Sequence, residues 1–512
     1  MKKETNGITL IALVITIIVL LILAGVTIAS LSGDNGILKR AAEAKEQTKK
    51  ADAEEQIKLG LTEVIMKNKL GDDIFKNLLD NKFGAENVTS NPDGSFTITK
   101  DGYQVKVDSK GTIINEGQSP DSGGGNQEPV SGGPNAPVIP TGMTVKYLSW
   151  DESGVEKDDN TGLVFDYSAG KWANIKTIAN GQEAYWVWIP RFEYKIPTEK
   201  PIDVNNPPMI DVKFISSTKT TATPGYTIHP AFTFGNDGNK DLPGIWVAKF
   251  EASSSNPNAV YGGSDTNTLK VNVKPNVTSW RGISVANIFT VCQNMQKGGV
   301  LGGTGTQSNE INKNVDGHMM KNTEWGAVAI LGQSQYGIYN NNDDTQKNVA
   351  GTAKQVWNNP NTSFITGKVG NFADDKSQPT VEGQYGYNDI LKNGPNASTT
   401  GTVYGVYDMA GGAWEYVAGC WEGYQVGKEN ANYFDIYNSS NSTSGIPGDA
   451  TRETQGWNGD CANFVYSSYP VFVRGGVYDN GAGAGVFYFD YNNGSANSYN
   501  SFRPVFVCVP SL

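Results

Sequence analysis

The sequence predicts a multi-domain chain: a long N-terminal transmembrane and amphipathic α-helix with a small β-sheet, then a large α+β domain. Three observations carry this reading. The 512 residues exceed what a single hydrophobic core organises. Residues 8–31, ITLIALVITIIVLLILAGVTIASL, hold no charge, and about 20 apolar helical residues suffice to cross a bilayer core. Over the whole chain, 60 glycines, 11 tryptophans and 23 tyrosines, with recurrent Asn-Gly, Asp-Gly and Gly-Gly pairs, favour strands and tight turns over long helices outside the N-terminal region.

The elements follow in order. Residues 1–7, MKKETNG, form a short basic leader, and 8–31 the transmembrane helix. After a break at Gly33-Asp34-Asn35-Gly36, residues 37–70 are helix-forming, with Ile57, Leu61, Val64 and Ile65 on one face. Glu46 with Lys50, Glu54 with Lys58 and Glu63 with Lys67 are i,i+4 pairs in the favourable order. Alternating stretches from Ser95, Tyr103 and Thr112, separated by Asp101-Gly102 and Ser109-Lys110-Gly111, predict a small sheet packed on that helix, so that 32–115 form one unit. Residues 116–137 are a Gly/Pro/Ser linker with almost nothing apolar to bury. Residues 138–183 carry short strand-like pieces with Tyr147, Trp150, Phe165, Tyr167 and Trp172 and read as a lead-in subdomain, and 184–512 form the large domain.

The N-terminus, Gly7 followed by Ile8, Thr9, Leu10 and Ile11 opening a long apolar helix, resembles the type IV prepilin signature. The resemblance implies cleavage between Gly7 and Ile8 and methylation of the new amino terminus. Ala12 stands where most major pilins carry Glu, so the resemblance implies a minor or tip subunit. It also implies the membrane, through residues 8–31, and other pilin-like subunits as partners. The expected location is the cell membrane, pilus-associated, with the C-terminal domain extracellular.

The large domain resembles the formylglycine-generating enzyme and sulfatase-modifying factor family, a variant of the C-type lectin fold. The matching blocks are Trp186-Val-Trp-Ile-Pro190, Gly244-Ile-Trp-Val-Ala-Lys-Phe-Glu251, Lys321-Asn-Thr-Glu-Trp325, Tyr404 to Tyr416 with its Asp408-Met409 and Trp414-Glu415, Val473-Arg474-Gly475-Gly476 and Phe502-Arg503-Pro504. Read from the residues alone, Met409, Trp414 and Tyr416 are core, and Arg474 or Arg503 bridges buried carboxylates such as Asp408 or Glu415.

The family oxidises a substrate cysteine with a close cysteine pair that binds copper just after the Arg-Gly-Gly segment. Here residues 477–501 hold no cysteine, and Cys292, Cys420, Cys461 and Cys508 lack metal-site spacing, as do His229 and His318. No catalytic residue, and so no enzyme, is expected. A Cys420–Cys461 disulfide stays open, and so does a calcium ion among the Asp- and Asn-rich loops, none of which has calcium spacing. The net charge of −11 argues against a nucleic-acid partner.

The same segment is built from Gly, Ala, Ser, Asn, Asp, Tyr, Phe and Val, with the single Phe-Tyr-Phe core around Tyr488. Such a composition combines large amphipathic contact area with adaptable hydrogen bonding. Period-2 alternation buries Phe487 and Phe489 and presents Tyr488 and Asp490. The segment also resembles the variable region of retroelement-diversified proteins, which lies between an Arg-Gly-Gly and a Phe-Arg. That resemblance implies a hypervariable contact surface of Tyr478, Asp479, Asn480, Tyr488, Asp490, Tyr491, Asn492, Ser495, Asn497, Tyr499 and Asn500. The expected function is a pilin-like adhesin that binds a protein or glycan. A membrane-anchored formylglycine-type oxidase and a purely structural minor pilin are the alternatives.

Overall fold

The computed structural model describes residues 72–91, 95–100, 103–107, 113–114, 136–140, 143–159, 163–198, 201–234, 240–256, 264–302, 315–339, 355–370, 385–390, 394–424, 432–440 and 445–508. The chain divides into two compact units, 1–124 and 125–512.

In the first unit the strands Val88–Ser90, Phe96–Lys100, Tyr103–Val107 and Ile113–Ile114 form a four-stranded antiparallel sheet in sequence order. Helix Asp72–Phe83 supplies Leu79 to a small core with Val88, Ile98, Val105 and Val107. Alternation along each strand puts these residues on one face, which needs a cover. Three of the strands fall where the sequence places them, Val88–Ser90 was not anticipated, and the helix on this core is the 12-residue Asp72–Phe83, past the stretch 37–70 expected to cover it.

In the second unit a seven-stranded antiparallel sheet runs in the order Val315–Met319, Pro504–Cys508, Gly244–Ala248, Gln182–Pro190, Asn174–Ala179, Val145–Trp150, Glu156–Asp159. Its central strands are buried on both faces. Trp186, Trp188, Trp246 and Phe506 enter one core cluster, and Val187, Ile189, Ile245, Val247, Val505 and Val507 enter the other. Helix Val285–Gln293 packs in the first cluster and helix Asn322–Gly332 in the second. Every residue of the latter helix is buried, and Gly326 is required there because a Cβ would lie 1.9 Å from the carbonyl oxygen of Gly448. A second sheet orders Asp435–Tyr437, Trp414–Trp421, Val471–Gly475 and Gly485–Asn492, with Asn500–Phe502 pairing parallel to Trp414–Trp421.

Two expectations need correction. The described residues are mainly β, with three α-helices of 12, 9 and 11 residues, so neither a long N-terminal helix nor a large α+β domain describes them. The cause is local. Glycine turns at positive φ and two-residue alternation of aromatic and β-branched side chains outnumber helix-forming stretches in the larger unit. Membrane anchoring and pilus association lose their support as well, since no helix among the described residues is long and apolar enough to cross a membrane. Gly7, Ile8, the span 8–31 and the stretch 37–70 lie outside the described residues.

Candidate functional site

Strand Val471–Gly475 leads into the segment 477–501 through Gly475 and Gly476, at φ 81° and 77°. At Gly476 a Cβ would stand 2.6 Å from the Cβ of Ala484, so a side chain is excluded twice over. The chain then turns. The Asn480 Oδ1 accepts the Val477 N–H at 2.9 Å, the Asn480 N–H donates to the Val477 carbonyl at 2.9 Å, and the Tyr478 N–H donates to the Gly412 carbonyl at 2.9 Å. Strand Gly485–Asn492 returns antiparallel, with Val473 opposite Asp490 and Arg474 opposite Phe489.

Phe487 and Phe489 are fully buried, as alternation requires. Tyr488 departs from expectation, being 3% exposed. The Trp414 indole N–H donates to its hydroxyl at 3.0 Å, and that hydroxyl donates to Asp490 at 3.3 Å. Period-2 reading settles the face but not whether a neighbouring indole covers it. Burial, then the Asp490 carboxylate, pushes the Tyr488 phenol pKa up, so it stays a neutral donor.

Residues 493–500 form side-chain-stabilised turns. The Asn492 Oδ1 accepts the Asn493 N–H at 2.8 Å and the Tyr416 hydroxyl at 2.7 Å. The Asn493 Oδ1 accepts the Ser495 N–H at 3.0 Å, and the Asn497 Oδ1 accepts the Tyr499 N–H at 2.8 Å. The Asn497 carbonyl accepts the Gly282 N–H at 2.8 Å, and the Trp414 N–H donates to the Tyr499 carbonyl at 3.0 Å. Asn500 is fully buried. Asn492, Asn493 and Asn497 act on the backbone, as short amide side chains do in turns.

The eleven residues therefore separate. Tyr488 and Asn500 are buried, and Asn480, Asp490, Asn492 and Asn497 are half-buried with side-chain oxygens on backbone N–H groups, so these hold the frame, whereas Tyr478, Asp479, Tyr491, Ser495 and Tyr499 keep part of their surface open, Tyr499 to 42%. The exposed aromatics fall into two groups. Tyr478 and Tyr499 meet across Phe364, with ring centroids 5.0 and 6.0 Å from it, and Trp414 lies 6.2 Å from Tyr499. The Arg281 guanidinium sits 3.8 Å over the Phe364 ring and donates to the Ser498 carbonyl. Desolvation lowers the Arg281 pKa, partly offset by Glu251 and the two tyrosines. Tyr491, on the Phe487 and Phe489 side of its strand, instead packs with Tyr466 and Tyr469 at 5.1 and 5.2 Å.

Sequence reading missed Arg281, Phe364, Tyr466 and Tyr469 as parts of these groups and took Trp414 for core, although it is half-buried. Only the fold brings Arg281 and Phe364 to the segment. Phe364 has φ 55°, an unusual conformation for an aromatic residue that a sequence does not announce.

Beneath this face lies the charge network that the blocks suggested. Arg503 pairs with Glu415, while Asp408 accepts from the Gly367 N–H and the Asn359 amide. Arg474 binds no carboxylate directly. It donates to the carbonyls of Asp449 and Ala450 and lies over the Trp325 ring. Burial, reinforced by Asp408 and Glu415, raises the Glu251 pKa well above the usual carboxylate range, and its Oε1 accepts the Ala413 N–H at 2.8 Å. All four cysteines are free thiols, Cys461 being half-buried and the others buried. Among the described residues no group of three His, Cys, Asp or Glu side chains could hold a metal ion.

No family model matches the chain, and no curated protein matches it. Among solved structures the chain is similar to Treponema denticola variable protein 1, at 13% identity over 65% of this chain and 98% of that one, with a TM-score of 0.29.

Proposed function

We propose that the unit 125–512 is a ligand-binding domain whose contact face is the exposed part of segment 477–501. Tyr478, Asp479, Ser495 and Tyr499 make the contacts, backed by Arg281, Phe364 and Trp414. One observation carries this reading: the open side chains stand on a frame fixed by glycines and by asparagines bonded to the backbone. Contact residues can then be exchanged without disturbing the fold, which is the property a diversified recognition surface needs. Tyrosines, an arginine and a tryptophan are also the side chains that dominate binding energy at interfaces.

Sequencing this gene across related cells tests the proposal. Codons 478, 479, 495 and 499 should vary while codons 474–476, 488, 490, 500 and 502–503 stay fixed. A segment as uniform as its flanks would remove the diversification, and variation spread equally over frame and contact positions would remove the division of labour. Binding itself is tested by screening the full chain against arrayed glycans and cell-surface proteins. Any partner retained at full strength by a Tyr478→Ala, Tyr499→Ala variant is held elsewhere.

A further inference from the structure

Residues 461–469 run beside strand Gly485–Asn492 and finish in a tight hairpin. The Asn463 N–H donates to the Phe489 carbonyl at 3.0 Å, the Phe464 ring lies 4.9 Å from the Phe489 ring, and Val465 is buried. Tyr466 and Tyr469 close the hairpin by exchanging N–H to carbonyl bonds at 3.2 and 3.0 Å, which leaves Ser467 and Ser468 exposed at its tip. Two tyrosines, 40% and 42% exposed, are thereby set against the half-buried Tyr491 of the strand. The three ring centroids lie 5.1, 5.2 and 5.6 Å apart, and the ring planes are inclined by 50–77°, so none stacks face to face on another. A backbone fixed in this way holds the rings in place before any ligand arrives, which lowers the entropy cost of binding. Residues 461–470 and 491–493 include no charged side chain. The exposed polar groups beside the rings are Asn463, Ser467, Ser468 and Asn493.

We propose that Tyr466, Tyr469 and Tyr491 form a binding site for a neutral saccharide, a β-linked hexopyranoside lying with its C–H face on the rings and its hydroxyls toward Ser467 and Ser468. Three features decide the class. Tyrosine rings reward burial of the apolar face that the axial hydrogens of such a sugar present, while phenol and serine hydroxyls exchange hydrogen bonds with its own. Two stretches without charge offer no counterpart to a carboxylate, a phosphate or an ammonium group. Size is the third. Tyr466 and Tyr469 leave roughly 60–100 Å² open each, far below the roughly 800 Å² that each partner brings to a stable protein interface, and this suits one or two sugar rings. Tyr466 and Tyr469 lie outside segment 477–501, so recognition here stays constant whatever the contact residues of that segment become.

Cellobiose is the probe, with mannitol as a polyol that lacks a ring face, each followed by saturation-transfer NMR on the full chain. Saturation should pass from the protein to the ring C–H protons of cellobiose and titrate with a Kd of about 1 mM. Tyr466→Ala with Tyr469→Ala should weaken binding by about tenfold or more, whereas Tyr466→Phe with Tyr469→Phe should keep most of it, because stacking needs the ring. Both side chains are exposed, so the variants keep their fold, which circular dichroism verifies. Absence of saturable transfer to cellobiose would overturn the proposal. So would undiminished binding in the double alanine variant, equal transfer to mannitol, or loss of binding in the double phenylalanine variant, which would mean hydroxyl bonding without stacking.

Discussion

Arg503 grips Glu415 in two places, Nη2 to Oε1 at 2.6 Å and Nε to Oε2 at 3.1 Å, with both side chains wholly buried. The remaining donors go to the carbonyls of Ala248 and Tyr407, both at 2.8 Å. The guanidinium thus ties strand Asn500–Phe502, through the residue that follows it, to the strands Gly244–Ala248 and Trp414–Trp421. Removing one partner of such a pair strands a buried charge. Arg503→Met should therefore cost about 3–5 kcal/mol in urea unfolding. Adding Glu415→Leu should recover part of that loss, whereas a double variant no better than the single would show that the carbonyl bonds carry most of the effect.

The buried ionisable groups give stability a direction with pH. His318 is held between Asp316 and Glu324, each 2.9 Å away. Burial depresses the imidazole pKa, but the two carboxylates outweigh it and lift it to about 9. A raised pKa stabilises the fold fully below the unfolded value near 6.5 and loses that contribution as pH climbs through about 9. Glu415 and Glu453, each pushed up by burial to about 7, act in the same sense at lower pH. His229 opposes them, because burial lowers its pKa to about 3 and the unfolded chain takes up protons below 6.5 that the fold refuses. Between pH 6.5 and 9 the histidine opposition is absent. The His318 contribution should fall across that interval by the equivalent of roughly 2–3 kcal/mol, while the buried Lys249, its pKa lowered by burial, acts in the opposite sense, so the decline is read as the difference between the parent and His318→Gln.

What the sequence discloses is periodicity and turn chemistry, and what it conceals is who covers whom. The alternation of Phe487 and Phe489 and the bridge between an arginine of the closing blocks and Glu415 were both legible, since each follows from spacing or from the need to pair a buried charge. That Arg503 rather than Arg474 makes the bridge was not, because either could reach a carboxylate until strand order is known. Tyr488 shows the same limit from the other side: its face was right, and its burial depends on an indole 74 residues earlier. The asparagines mislead for a related reason. An exposed-looking polar side chain serves a ligand or the neighbouring backbone equally well, and only coordinates show that the Asn492 and Asn497 amides turn inward to the chain.

The step from strand Val471–Gly475 into the contact segment depends on glycine. With φ at 77° and the Ala484 Cβ in the way at 2.6 Å, Gly476→Ala adds backbone strain to a steric clash. The substitution should destabilise the domain by more than about 1 kcal/mol. Gly481, at φ 54° with nothing within 4 Å of a Cβ, provides the control. Gly481→Ala should cost only the conformational part, and equal losses at the two sites would show that the contact with Ala484 relaxes freely.

Tyr499 and Asn497 sit two residues apart and should respond in opposite ways. Tyr499 is 42% exposed and meets Phe364 and Trp414 in T-shaped contacts at 6.0 and 6.2 Å, so Tyr499→Ala should leave stability within about 0.5 kcal/mol. The Asn497 amide oxygen holds the Tyr499 N–H, and Asn497→Ala should cost about 1 kcal/mol by breaking that turn. Binding reverses the ranking. Loss of the Tyr499 ring deletes a contact and should weaken a partner directly. Asn497→Asp keeps the acceptor oxygen and should leave both stability and affinity near the parent. If Tyr499→Ala instead unfolded the domain while leaving affinity intact, the ring would belong to the frame, and the contact face would have to be sought around Tyr466, Tyr469 and Tyr491.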